Sequence, residues 1–402
     1  MQILVFNSGS SSLKFQLYTV EGDTQVSVAQ GAVRGLGGEA SGEWRYGGQL
    51  QRTSLALGDH TDAAHYILDL LEEQLAPGHS LLAEITAVGH RIVHGGDTFT
   101  DAVLLDEQTF AQLEALSVLA PLHNPPALRV IHVCRRRLAH RPMVAVFDTT
   151  YFQELPDYVH CYALPEAWRQ TPHAIRRYGF HGLAHRYMAE RYCALTGADP
   201  EAVNLITLQL GQGCSIAALR AGYPLETSMG FTPLEGLIMA TRPGDLDAGV
   251  VLHLLEQGYT RDELSEGLNH RAGLLGLSGA SGDMQTLLQL EREGHSAAAL
   301  AVHAFVHRAR KYLGAYLAVL GGADAILFGG GIGEHAPAIR ARICDGMEWC
   351  GIRLDSERNR HAVAVDAVIS SITSSTALLV IPVDEETLIA QETLRCLTTA
   401  AE

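Results

Sequence analysis

The sequence predicts an α/β protein built from two related halves. Three observations carry that expectation. Apolar β-rich runs alternate with helical stretches, a strand–polar turn–strand unit occurs twice about half a chain apart, and 402 residues suffice for two domains. The first unit is residues 3–17, ILVFNSGSSSLKFQL. Ile3 to Phe6 form a short apolar run, and Leu13, Phe15 and Leu17 alternate with Lys14 and Gln16, as in a half-buried strand. Between them Asn7, Gly9 and the flanking serines offer closely spaced N–H and hydroxyl groups, with Gly9 free to adopt a left-handed backbone. Such a turn can wrap an anion, and Lys14 at its exit adds positive charge. It also fits an ordinary serine-rich hairpin. The second unit, residues 205–219 (LITLQLGQGCSIAAL), turns through Gly211, Gln212, Gly213, Cys214 and Ser215 and sets Gln209 opposite Asn7. Two phosphate hairpins on two halves, with a cleft between them, are the expected parts of a nucleotide site.

The remaining elements follow in order. Residues 26–33 read as a strand and the glycine-rich 35–48 as loops. Residues 62–75 have helical spacing, with Thr61 as the cap and Pro77-Gly78 as the stop. A strand over 85–93 carries Arg91 and Val93, a helix covers 106–119, and Asn124 before Pro125-Pro126 is placed to cap the next helix. Arg135, Arg136 and Arg137 lie late in that helix and read as its solvated end. The apolar strand 143–147 ends at Asp148, the position where α/β folds put site residues. Residues 150–200 are irregular until a helix over 183–195, which is preceded by Arg176-Arg177-Tyr178-Gly179-Phe180-His181-Gly182. A tight turn holds Arg242 between Thr241 and Pro243-Gly244. A long apolar helix covers 300–320; its His303 and His307 lack a third metal ligand and read as structural. A strand at 325–328 runs into Gly329 to Gly333, and a strand at 377–381 precedes Asp384, Glu385 and a final helix to about 398.

Composition bounds the partners. Hydrophobic content of 47% with 18% charged residues describes a folded globular chain, and the net charge of −16 argues against nucleic acid or an anionic membrane as partner. Seven scattered cysteines without a CxxC pair imply reduced thiols and a cytoplasmic setting, and no apolar run reaches the roughly 18 residues of a membrane span.

A Walker-type loop is absent. Gly331-Ile332-Gly333-Glu334-His335-Ala336 after a strand, with Asp355 beyond, fits a dinucleotide fingerprint. That reading explains neither hairpin, and a nucleotide over a glycine-rich turn fits equally without hydride chemistry. Arg91 and Arg242 suit bidentate contact with carboxylate or phosphate, although either alone also suits a structural ion pair. With two phosphate hairpins, and Asp148 and Glu385 at strand ends for a metal, the reaction class becomes phosphoryl transfer.

At these residues the chain resembles the acetate kinase family of the actin-like superfamily, which includes sugar kinases and heat-shock ATPases. The ordered motifs NSGSSSLKF, GHRIVHGG, APLHNPP, VFDTTY, RRYGFHG, LGQGCS, TSMGFTPLEGL, TRPGD, GGGIGEH and PVDEE span nearly the whole length. The resemblance implies a duplicated actin-like, ribonuclease H-like fold, with residues 1–149 and 384–402 as one domain and 150–383 as the other. It implies Mg²⁺-dependent transfer, with Mn²⁺ as an alternative, from ATP to acetate, giving acetyl phosphate and ADP, in a homodimer. Asn7, Lys14, Asp148 and Glu385 would then serve the metal and phosphates. Arg91 would bind the carboxylate, and His181 and Arg242 would stabilise the transferring phosphoryl group. The nucleotide segments fall on Gln209, Leu210, Gly211, Gln212 and Gly213, on Asp283, Met284 and Gln285, and on Gly331, Ile332, Gly333, Glu334 and His335. The acyl pocket falls on Val93, Leu122, Phe180 and Pro233. Three departures stand out. The second loop usually reads HLGNG, the segment at 283–285 usually reads Asp-Phe-Arg, and the usual histidine after Tyr151-Phe152 is missing. The departures bear on the phosphate donor more than on the acceptor. Propionate or butyrate as acceptor, pyrophosphate as donor, and an actin-like ATP switch without acyl transfer remain as alternatives.

A carboxylate with a pKa of about 4.3 is ionised at neutral pH and needs no general base. Asp148 is therefore expected to orient Mg²⁺ or an arginine rather than carry a proton.

Overall fold

A computed structural model describes residues 1–22, 24–75, 78–169, 171 and 173–400. The chain divides into two compact units, 1–150 with 384–402 and 151–383. The first holds strands β1 (Gln2–Ser8), β2 (Ser12–Glu21), β3 (Thr24–Arg34), β4 (Ala40–Tyr46), β5 (Gln49–Leu55), β6 (Ala87–Ile92), β7 (Val103–Leu104) and β8 (Met143–Phe147) in one sheet of order β5-β4-β3-β2-β1-β6-β8-β7. The second holds β9 (Asn204–Leu210), β10 (Cys214–Arg220), β11 (Tyr223–Thr227), β12 (Ala325–Gly329), β13 (Ala367–Val368) and β14 (Ala377–Val380), ordered β11-β10-β9-β12-β14-β13.

Both sheets share one plan. An antiparallel three-strand meander is followed by two strands parallel to its first member: β3-β2-β1-β6-β8 in one unit and β11-β10-β9-β12-β14 in the other. The parallel strands Met143–Phe147 and Ala325–Gly329 are apolar and buried along their whole length. In the first unit the final helix, Glu385–Thr399, packs on β1, β6 and β8. Gly89 in β6 makes room for it, since a Cβ there would collide with Thr393 and Ile389. No helix among the described residues is long and apolar enough to cross a membrane.

Several expectations are corrected. Half of the 35–48 stretch expected as loops is strand, Ala40–Tyr46, which pairs with Gln49–Leu55 in the β4–β5 ribbon; the outer strand QLQRTSL is almost wholly exposed and carries no apolar alternation. The helix His60–Asp69 is capped by Asp59, whose carboxylate accepts from the Thr61 and Asp62 amides, not by Thr61, and it runs on into a wider π-type turn, Leu70–Gln74. Pro77 lies outside the described residues. Asn124 is buried inside the first turn of its helix, Asn124–Arg137, with His123 before it. Arg135 and Arg137 are not merely solvated. Arg137 bridges Asp69 (2.8 Å) and Glu72 (2.7 Å), and Arg135 pairs with Glu107 over the Phe110 ring. Asp355 caps the short helix Ser356–His361, which removes it from any ribose-binding role.

Candidate active site

In the first unit, parallel pairing brings the C-terminal ends of β1, β6 and β8 to one sheet edge, so Asn7, Arg91 and Asp148 become neighbours. Arg91 donates to Asp148 through Nε (2.9 Å) and Nη2 (2.6 Å), and through Nη1 to Asn7 Oδ1 (3.0 Å). The Asn7 amide donates to Glu385 (2.7 Å) and Glu386 (2.8 Å), which open the final helix. Carboxylates suit a helix's first turn, and Asp384 caps it by accepting from Thr387. Lys14 Nζ lies 3.3 Å from Glu386, and Arg91 Nε 3.9 Å from Glu385. Burial alone would lower the Arg91 pKa, but Asp148 and then Glu385 raise it above its ordinary value, so the guanidinium stays charged. Glu386 raises the Lys14 pKa against the opposing effect of burial.

The hairpin turn is tied down by His60, whose Nε2 lies 2.8 Å from the Gly9 carbonyl, and by the Gly9 amide donating to Ser12 (2.9 Å). Gly9 is not left-handed, and a Cβ there would meet only the Ser12 hydroxyl closely (2.7 Å), with the Ser12 carbonyl at 3.6 Å. Beyond Val93, the turn at His94 is clamped by Asn124, which accepts from the His94 amide (3.2 Å) and donates to its carbonyl (3.0 Å). Val93 is buried, and Leu122 is 38% exposed.

The second unit gathers the other predicted residues. The turn after β9 closes through Gly211 N–H to Gly213 O (3.1 Å). A Cβ on Gly213 would stand 2.8 Å from Arg242 Nη2 and 3.3 Å from His181 Nε2, so both side chains converge on that glycine. Arg242 donates through Nη1 to the Pro233 carbonyl (2.9 Å). Among the described residues no carboxylate pairs with it, and burial lowers its pKa. His181 sits in the left-handed region (φ 58°, ψ 30°) just before the helix Gly182–Thr196. For a non-glycine residue that conformation costs on the order of 1–3 kcal/mol, and such strain gathers at functional positions. Its Nδ1 lies 2.8 Å from Ser215 Oγ. Phe180 is buried, and Arg177, bonded to Glu235 (2.7 Å) and to the carbonyls of Thr227 and Met229, braces the loop before it.

The three segments that the resemblance assigns to the nucleotide, or residues adjoining them, lie near one another in this unit. Ala240 N–H donates to Gln212 O (3.0 Å), a Cβ on Gly282 would lie 2.9 Å from Ala240 O, and one on Gly330 would lie 2.7 Å from Leu210 O. Gly331 and His335 are exposed. Not every predicted residue presents its side chain. Leu210 and Met284 are core residues, Asp283 caps the helix Met284–Arg292 through Thr286, and Glu334 accepts from the Gly330 and Val383 amides (2.9 and 3.1 Å). Gln285 is exposed, and Gln209 Oε1 is buried without a hydrogen-bond partner among the described residues. Glu386, His60, Asn124 and Ser215 were missed; the Asp-Glu-Glu run pointed to the first of them.

The acetokinase family profile matches residues 2–391. The chain belongs to the acetokinase family. Among its relatives, the acetate kinase of Solibacter usitatus is 43% identical over 99% of this chain and 98% of its own, and that of Heliobacterium modesticaldum 41% over 99% and 100%. Solved acetokinase-like structures agree. Porphyromonas gingivalis acetate kinase superposes with a TM-score of 0.88 at 38% identity (98% of this chain, 99% of that one), and a Francisella tularensis propionate kinase with 0.89 at 35% (98% and 99%). The acetokinase fold is the duplicated actin-like one, visible here as the repeated strand order.

Proposed function

We propose that this protein is an acetate kinase, transferring the γ-phosphoryl group of ATP to acetate to give acetyl phosphate and ADP. The observation that carries the reading is the convergence of left-handed His181 and carboxylate-free Arg242 on Gly213. A cation held in a desolvated site without an internal counter-ion is suited to charge that develops on transferring phosphoryl oxygens. Acetate arrives ionised, so the barrier to overcome is repulsion between two anions rather than a missing base. Arg91 is assigned to the acetate carboxylate: three of its five N–H groups are engaged with Asp148 and Asn7, which leaves two to bind. Asp148 orients Arg91, as its bidentate contact supports.

A divalent cation fits the donor set of the first unit. Asp148, Glu385 and Glu386 set three carboxylates against Lys14 and Arg91, an excess of one negative charge, and all the donors are hard oxygens. No group of three or more His, Cys, Asp or Glu among the described residues is arranged to hold a metal alone. Glu385 and Asn7 would hold Mg²⁺, or Mn²⁺, which would supply charge neutralisation at the phosphates. Lys14, the hairpin amides and the glycine turn at 330–333 are assigned to the nucleotide.

A propionate reading has one specific support, the similarity to the Francisella propionate kinase. One methylene is worth only about 1–3 kcal/mol of discrimination, so propionate is expected as a poorer acceptor. For assembly, the helix Ala248–Glu256 buries none of its residues although it is largely apolar; Leu252 is 61% exposed, and Leu246, Val250, Leu255 and Tyr259 stand near it. We assign this face to a homodimer. Sedimentation of Leu252→Asp beside wild type tests that assignment, with a monomer expected for the variant.

The function itself is tested by trapping acyl phosphate as hydroxamate with acetate, propionate and butyrate against ATP, GTP and pyrophosphate. Acetate with ATP should give the highest kcat/KM. ATP hydrolysis without hydroxamate would reject the reading in favour of an ATP switch.

A further inference from the structure

His181 is the last link of a buried chain that neither the sequence reading nor the assigned mechanism uses. Its Nδ1 meets Ser215 Oγ at 2.8 Å, Ser215 Oγ meets His185 Nε2 at 2.7 Å, and His185 Nδ1 meets Thr207 Oγ1 at 2.6 Å. Ser215, His185 and Thr207 are fully buried, and Phe152 packs edge-on against the His185 ring (centroids 5.9 Å apart). Three elements build the chain: β9, β10 and the helix Gly182–Thr196. In a neutral imidazole one nitrogen donates and the other accepts, and each hydroxyl carries a single hydrogen. Ser215 Oγ has one hydrogen and two lone pairs, so it can donate to His181 (outward), donate to His185 (inward), or accept from both rings and donate elsewhere; only the outward arrangement leaves His181 Nδ1 without a hydrogen. In the outward sense Thr207 donates to His185, His185 to Ser215, and Ser215 to His181 Nδ1; His181 then carries its own hydrogen on Nε2, the atom facing Gly213 and Arg242. In either of the other arrangements the His181 hydrogen sits on Nδ1 and Nε2 presents a lone pair, which repels an anion.

We propose that Thr207, His185 and Ser215 are positioning residues that fix neutral His181 as its Nε2–H tautomer, so that it donates to the phosphoryl oxygens without being protonated. Two features of the site favour the neutral ring. Arg242 Nη2 and His181 Nε2 flank the same glycine, and a second positive charge beside that guanidinium is disfavoured. Burial holds His185 neutral, so it cannot supply a charge to the chain. The left-handed backbone of His181 fits the same picture, because it aims Nδ1 at Ser215 rather than at solvent.

The proposal rests on the acetate kinase reading for its consequence, but its test does not. Ring ¹⁵N spectra of the full-length protein labelled at histidine, recorded without substrate, report the tautomer of His181 directly. Wild type should show a protonated Nε2 and an unprotonated Nδ1 between pH 7 and 8. Ser215→Ala should lose that preference and lower kcat about tenfold, with the KM values for acetate and ATP changed less than threefold. Thr207→Val, which removes only a hydroxyl two links from His181, should shift the tautomer partway, and Thr207→Ser should restore it. If Ser215→Ala does not fold, the Thr207 pair decides. A wild-type His181 protonated at Nδ1, or a tautomer unmoved by Thr207→Val and Ser215→Ala, would overturn the proposal, whatever reaction the enzyme catalyses.

Discussion

Each unit carries an arginine beside its polar-turn hairpin, and the two are held in opposite ways. Arg91 is gripped by Asp148 and Asn7, with Glu385 and Glu386 in the same network; its charge is neutralised inside the protein. Arg242 keeps one hydrogen bond to a carbonyl and no carboxylate. The difference separates positioning from reactivity. A compensated cation holds its place and can orient a weakly charged acceptor. An uncompensated one raises the energy of the empty site and recovers it only when an anion arrives, most strongly when charge peaks in the transition state.

The comparison breaks most sharply at Arg242. Arg242→Ala should lower kcat by about 10³-fold with less than a tenfold change in the acetate KM; steady-state kinetics in which only acetate affinity is lost would sink the assignment. Asp148→Asn should cost about 10²-fold or more in activity at every pH from 6 to 9, because it frees Arg91 to turn away from its bound position. A recovery of activity at raised pH would instead give Asp148 a proton-transfer role.

A smaller effect is acid sensitivity, to which each unit contributes a buried neutral histidine, His90 in the first and His185 in the second. His90, stacked on Phe6 in the first unit, is buried without a partner for Nε2, and desolvation lowers its pKa to about 3. Above pH 6.5 the folded and unfolded chains both hold it neutral. As pH falls from 6.5 toward 3, only the unfolded chain takes up the proton, so stability is lost across that window. Urea midpoints at pH 7 and 4.5 should fall less in His90→Leu than in wild type; an equal fall would place the acid sensitivity elsewhere. Smallest of all, Gln209→His should lower the ATP KM a few-fold by restoring a ring where an amide oxygen now lacks a partner. A KM that rises would mean the glutamine is adapted to the donor.

Much of this was legible in the sequence because its physics is local. The two hairpins, the apolar parallel strands and the glycine turn are written in short windows, and repetition of one pattern in two halves disclosed the duplication. What escaped depends on partners far along the chain. Asn124 has the chemistry of a helix cap but bonds to His94, and no local rule reports that. The β4–β5 ribbon has no buried face on its outer strand, so period-two alternation could not signal it. Thr207, His185 and Ser215 lie on separate elements; the one hint was the spacing of His181 and His185, one helical turn apart. Gly9 in a polar turn signals a left-handed backbone, yet its φ is not positive.

The contrast between the arginines is tested most directly by the melting temperature of Arg242→Met against that of Arg91→Met. Methionine keeps much of the side-chain volume and removes the charge. Loss of one partner from a buried ion pair costs about 3–5 kcal/mol, whereas removing a desolvated cation whose one partner is a carbonyl breaks no ion pair and relieves its desolvation cost. Arg242→Met should therefore melt at or above wild type, and Arg91→Met well below it. An Arg242→Met protein that melts as far below wild type as Arg91→Met would show that Arg242 is compensated after all, and would contradict the account.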